Sequence, residues 1–111
     1  MTCNPGDIAA IPFPFSDLTT RKRRPVLVLT KPDRYGDFIG LAVTSVLSVE
    51  KSLAIDEKSL IAGKLPKESR VRYNKIFTLS ESMVIKIFGT LKESVFQQVL
   101  GALCGHFGCN S

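Results

Sequence analysis

The chain has 111 residues, 44% of them hydrophobic and 23% charged, with a net charge of +5 and an isoelectric point near 9.3. That length holds one folded domain, no apolar run approaches the ~20 residues of a membrane span, and three sparse cysteines argue against a disulfide framework. The basic balance favours a polyanionic partner, because each neutralised phosphate releases counterions, although charge alone does not separate a nucleic-acid binder from a domain that is merely basic.

The first apolar stretch, Ile8–Ile11, is short and has no basic segment before it, so no export signal is expected and a reducing cytoplasm is the expected setting. Asp7–Phe15 alternates loosely between apolar and small residues. Pro12 and Pro14 interrupt it and lack the N–H that a central ladder needs, which predicts an edge or bent strand. Ser16–Arg24 is polar and basic and reads as a loop carrying Arg21, Lys22, Arg23 and Arg24 together. Pro25 then opens Val26–Thr30, an apolar run of strand length. Pro32, Asp33 and Gly36 are turn chemistry. Phe38–Val46 is a second long strand with Thr44 and Ser45 near its end, and Leu53–Ile55 is a short one. Gly63 and Pro66 break the chain, Ser69–Leu79 and Val84–Phe88 follow as strands, and Gly89 stops the last.

The period then changes. Leu91, Val95, Val99 and Leu103 recur every four residues, with Phe96 and Leu100 beside them, which predicts an amphipathic helix over about 90–104. Thr90 and Glu93 have capping-box spacing, and Gly105 is suited to end the helix in a left-handed conformation. Residues 105–111 read as a frayed tail. Cys104, His106 and Cys109 resemble part of a metal cluster, but a closed zinc site needs four ligands and this stretch offers three, so no metal is expected. Five or six short strands followed by one helix predict a mainly β domain over residues 1–111, a bent antiparallel sheet or small barrel at about 6–89 with a C-terminal helix.

Arg24 precedes a proline and a buried strand, so its backbone is fixed while its guanidinium, a rigid fork matched to phosphate, reaches outward. Within Ser69–Leu79 a period of two puts Arg70, Arg72 and Asn74 on one face, either a solvated polar face or an anion site. The chain has one histidine, His106, so a two-imidazole acid/base mechanism is not available within one subunit. Its aspartates are scattered, and no phosphate-cradling Gly-rich loop occurs. Phosphodiester chemistry here would have to use arginine, hydroxyls and amides.

Blocks of the sequence resemble the MazF/PemK toxins of bacterial toxin–antitoxin pairs, in family order from about Gly6 to Leu103. Asn4-Pro-Gly6-Asp7-Ile8 with Pro12-Phe-Pro-Phe15 is similar to the opening strand. Arg24-Pro25-Val-Leu-Val28 is similar to the Arg-Pro strand, and Ala42-Val43-Thr44-Ser45 to the Thr-Ser strand end. Ser69-Arg-Val71-Arg72 with Lys75-Ile76-Phe-Thr78-Leu resembles the late strand. Ile87-Phe-Gly89-Thr-Leu91 resembles the approach to the last helix.

The resemblance implies an SH3-like barrel of the CcdB/Kid/MazF type, usually a homodimer, that cleaves single-stranded RNA without metal or cofactor and is held by a cognate acidic antitoxin. Arg24 would stabilise the phosphorane, Thr44 would hydrogen-bond the phosphate, and Arg72 would act as electrostatic stabiliser or general acid. Arg21, Lys22, Arg23, Ser45, Arg70 and Asn74 would contact RNA. Some PemK-type members carry an aspartate two residues past the late arginine as a base; this chain has Asn74. A non-catalytic RNA-binding barrel is therefore the alternative. A CcdB-like gyrase binder, which depends on tryptophan at the last helix, is disfavoured by a chain with no tryptophan.

Overall fold

The computed structural model describes residues 2–13 and 22–109, without the side chains of Phe13 and Lys22. The strands are β1 (Asp7–Phe13), β2 (Lys22–Val28), β3 (Asp37–Thr44), β4 (Ser52–Ile55), β5 (Leu60–Gly63), β6 (Ser69–Ser80) and β7 (Lys86–Leu91), and one helix follows, α1 (Glu93–Phe107). The strands form one antiparallel sheet in the order β4-β6-β3-β2-β1-β7-β5, curled into a half-barrel. This is the mainly β architecture with a C-terminal helix that the sequence predicts. No helix among the described residues is long and apolar enough to cross a membrane.

Alternation along the strands decides what each face carries. Ile8, Leu27, Leu41, Val43, Ile55 and Val71 join Phe96 and Val99 of α1 in one apolar cluster. Ala9, Ile11, Val26, Val28, Phe38 and Leu79 form a second on the opposite face, closed over by Cys3 and Val84. Burial on both faces is why β2 and β3 read as continuous apolar runs rather than alternating ones.

β1 is not the edge strand its prolines suggest, since β2 and β7 flank it. Its pairing with β7 stops at Ala10, so the donor missing from Pro12 falls where only β2 runs alongside. Residues 22–24 are strand and not loop, held by β1 through Phe13↔Lys22, Pro12↔Arg23 and Ile11↔Arg24. A ladder uses backbone groups, so charged residues do not prevent pairing. Pro25 lies just outside the β2–β3 pairing, which begins at Val26. Arg21, Phe15 and the 16–20 part of the expected loop lie outside the described residues.

β5 carries no alternation that would have marked it. Gly63 ends it with φ +82°, and an added Cβ there would collide with the carbonyl oxygen of Phe88, so only glycine lets β5 approach β7 this closely.

The helix is displaced from its expected span of about 90–104, and both expected caps differ. Its N-cap is Lys92, which makes no side-chain capping bond. Thr90 belongs to β7, where it pairs with Asp7 and donates its hydroxyl to Asp7 Oδ1 at 2.8 Å. A bond to a buried carboxylate is stronger than a neutral cap, and strand register delivers it. Gly105 lies within the helix; the left-handed residue is Gly108, φ +74°. Residues 105–107, expected as frayed tail, are helical. The apolar stripe itself packs as expected, with Phe96 and Val99 buried and Val95, Leu100 and Leu103 against the same cluster.

Candidate nucleic-acid interface

Arg24 shares the face of Val26 and Val28; Thr44 and Arg72 each follow a valine, Val43 or Val71, of the opposite cluster. All three therefore project from the face turned away from α1. Register brings them together: Val26 pairs with Ala42, and Ala42 with Arg72, so β2, β3 and β6 present these side chains side by side. The β3–β6 register shifts at this point. Leu41 faces Ile76 while Ala42 faces Arg72, so residues 73–75 bulge out of the ladder. Such bulges re-aim side chains.

A cavity of about 240 Å³ is lined by Arg24, Pro25, Ala42, Val43, Thr44, Arg72 and Phe77. A second, of about 210 Å³, shares Arg24, Pro25, Val43 and Thr44 with it. Its other walls include Leu65, Pro66 and Phe88, with Arg23, Ser45 and Lys67 contributing polar groups. One side of the Arg24–Thr44 pair is thus strongly cationic, and the other is an apolar slot edged by two further cations.

Several polar atoms here are poised for a ligand. Thr44 Oγ1 accepts a hydrogen bond from the Val46 amide at 3.1 Å, which orients the hydroxyl and leaves its proton for donation. Nε of Arg72 and Oδ1 of Asn74 are buried with no hydrogen-bond partner among the described residues. An unpaired buried polar atom costs about 1–3 kcal/mol. Arg72 lines the first cavity, whereas Asn74, two residues on in the bulge, is not among the residues lining either cavity. Arg24 and Arg72 together place positive charge at the cavity wall, where an anionic group would be attracted.

Of the residues expected to bind RNA, Arg23 and Ser45 are exposed and line the second cavity. Arg70 is held elsewhere: its Nε donates to Ser52 Oγ at 2.6 Å and its Nη2 to the Ser52 carbonyl at 3.2 Å, tying β6 to β4. His106 meets Tyr73 edge-on at 5.8 Å between ring centroids, and Tyr73 packs against the helix-side cluster. Sequence reasoning did not find Phe77, Phe88, Leu65, Pro66 or Lys67. Nothing in their local pattern marks them, because the walls they form depend on β5 and β7 meeting and on the turn into β6.

A family model described as "PemK-like, MazF-like toxin of type II toxin-antitoxin system" matches residues 4–107. No curated protein matches the sequence at a significant level. Among solved structures, a MazE-MazF complex from Deinococcus radiodurans superposes with a TM-score of 0.77 at 17% identity, covering 99% of this chain and 100% of that one. A mycobacterial endoribonuclease in complex with its cognate antitoxin gives 0.76 at 13%, covering 99% and 97%. The Mycobacterium tuberculosis toxin MazF-mt6 gives 0.73 at 18%, covering 95% and 99%. At these identities the likeness is one of fold.

Proposed function

The chain belongs to the PemK-like, MazF-like toxins of type II toxin–antitoxin systems, a family whose members are generally endoribonucleases, and we propose that it cleaves single-stranded RNA without a metal ion. The observation that carries this reading is the convergence of Arg24, Thr44 and Arg72 from three strands on one cavity. In the proposed reaction the ribose 2′-hydroxyl gives up its proton to water as its oxygen bonds to the adjacent phosphorus, and the bond from phosphorus to the 5′-oxygen breaks as that oxygen takes up a proton from water. The products are a 2′,3′-cyclic phosphate and a 5′-hydroxyl. Arg24 and Arg72 stabilise the charge that builds on the non-bridging oxygens, and Thr44 donates to one of them. A guanidinium with a pKa above about 12 releases its proton reluctantly, so electrostatic stabilisation is assigned to both arginines ahead of acid catalysis. Asn74 Oδ1 accepts a hydrogen bond from the 2′-hydroxyl and orients it.

The apolar slot with Leu65, Pro66 and Phe88 receives an unstacked base beside the scissile phosphate, which supports a single-stranded substrate. Two guanidiniums at the cavity repel a divalent cation, which supports metal-free chemistry. The partner is an antitoxin, proposed from the antitoxin-bound neighbours; an acidic segment would complement the net charge of +5. A cytoplasmic setting and a homodimer belong to the same proposal.

The test is cleavage of a long single-stranded RNA in excess EDTA, with end-group analysis. Cyclic phosphate and 5′-hydroxyl ends are expected, and Arg24→Ala should reduce the rate by about 10²–10³-fold with the fold intact. Cleavage only after Mg²⁺ is restored, or 5′-phosphate products, would overturn the mechanism. The second reading, an RNA-binding barrel without catalysis, rests on Asn74 in place of a base. RNA binding by the native chain with no cleavage under any condition would favour it.

A further inference from the structure

The last turn of α1 ends in a complete Schellman motif. The Cys109 amide donates to the Cys104 carbonyl at 2.9 Å and the Gly108 amide to the Gly105 carbonyl at 3.1 Å, with Gly108 left-handed. In this motif the residues at the two ends of the longer bond bring their side chains together, and here both are cysteines. Neither is buried: Cys104 is half-exposed and Cys109 exposed, whereas Cys3 is fully buried in the sheet. The Cys104 thiol is held above its ordinary pKa, first by the hydrogen bond it shares with the Cys109 side chain, then by desolvation and by the charge of Cys109. The cap geometry therefore sets the two thiols side by side across one turn, and the proposed RNA chemistry uses neither.

We propose that Cys104 and Cys109 form a reversible thiol–disulfide site, closed by a low-molecular-weight disulfide of the glutathione class. Cys109, the more exposed, attacks one sulfur of the small disulfide as its thiolate and expels one small thiol, leaving a mixed disulfide on Cys109. Cys104 then attacks the Cys109 sulfur, the mixed bond breaks, and the second small thiol leaves as the intramolecular Sγ–Sγ bond forms. Two electrons pass from the cysteines to the small disulfide, which is reduced to two thiols, and the protons lost by the cysteines are taken up by the departing thiolates. The closed bond staples the cap of α1 across Gly108.

The experiment treats the full chain with glutathione disulfide and maps its cysteines by mass and by thiol titration. The expected product has lost two hydrogens from the C-terminal peptide and both exposed thiols, keeps Cys3 free under native conditions, and stays uncrosslinked between chains. Dithiothreitol restores it. Amide exchange in the last turn of α1 slows on closure. Cys104→Ser should stop at a stable glutathione adduct on Cys109, and Cys109→Ser should give no intramolecular bond. A native chain that keeps the adduct on Cys109, or crosslinks only between chains, would overturn the site.

Discussion

Asn74 combines two properties that bear on the rate. Its carbonyl oxygen is buried with no hydrogen-bond partner among the described residues, and as an amide it cannot take a proton at neutral pH. If it faces the 2′-hydroxyl, a carboxylate in its place turns an orienting group into a general base. Asn74→Asp should therefore raise the cleavage rate roughly ten- to a hundredfold at neutral pH. The pH profile should also gain an acidic limb, activity falling as the new carboxyl protonates. A variant no faster than the native chain, with an unchanged profile, would remove Asn74 from the path of the proton. Arg70 shows the converse case. It has the same residue type and strand face as Arg72, yet Ser52 of β4 holds its guanidinium, so periodicity found both arginines and tertiary pairing divided their tasks.

At the scale of elements, β7 and β1 are joined by more than their ladder. Asp7, almost wholly buried, accepts the Thr90 hydroxyl at 2.8 Å through Oδ1 and the Asn4 amide at 2.9 Å through Oδ2. The same Thr90 has capping-box spacing to Glu93, and the sequence alone offers no way to choose between these uses. The structural choice makes a measurable difference. Thr90→Val removes a donor to a buried carboxylate and should cost about 1–3 kcal/mol in urea unfolding, with helix content by circular dichroism unchanged in the native state. Loss of helical signal with little change in stability would return Thr90 to the cap. The helix stripe was legible because a buried face needs period near 3.6, and the strands because two buried faces need continuous apolar runs. β5 was not, since four residues ending in glycine carry too little pattern, and its position rests on a close backbone approach to β7.

For the whole molecule, apolar side chains remain on the outside: Val46 and Leu47 just past Thr44, Ile61 on edge strand β5, and Phe107 at the end of α1. A second copy of the chain is expected to cover part of this surface, since burial of apolar area is the main favourable term in association. Sedimentation at micromolar concentration should give a dimer; a monomer there would sink this expectation. Sequence by itself determined the mainly β architecture, the terminal helix and its buried stripe, and the arginine and hydroxyl types of the candidate site. Those follow from local periodicity and side-chain chemistry, which neighbouring residues already contain. Tertiary structure alone decided that residues 22–24 are strand, that β1 lies inside the sheet, that Thr90 serves Asp7, and that Phe77 and Phe88 wall the cavities. Each of these depends on hydrogen bonds or contacts between segments far apart in the chain, and no short window of sequence records which partner will arrive.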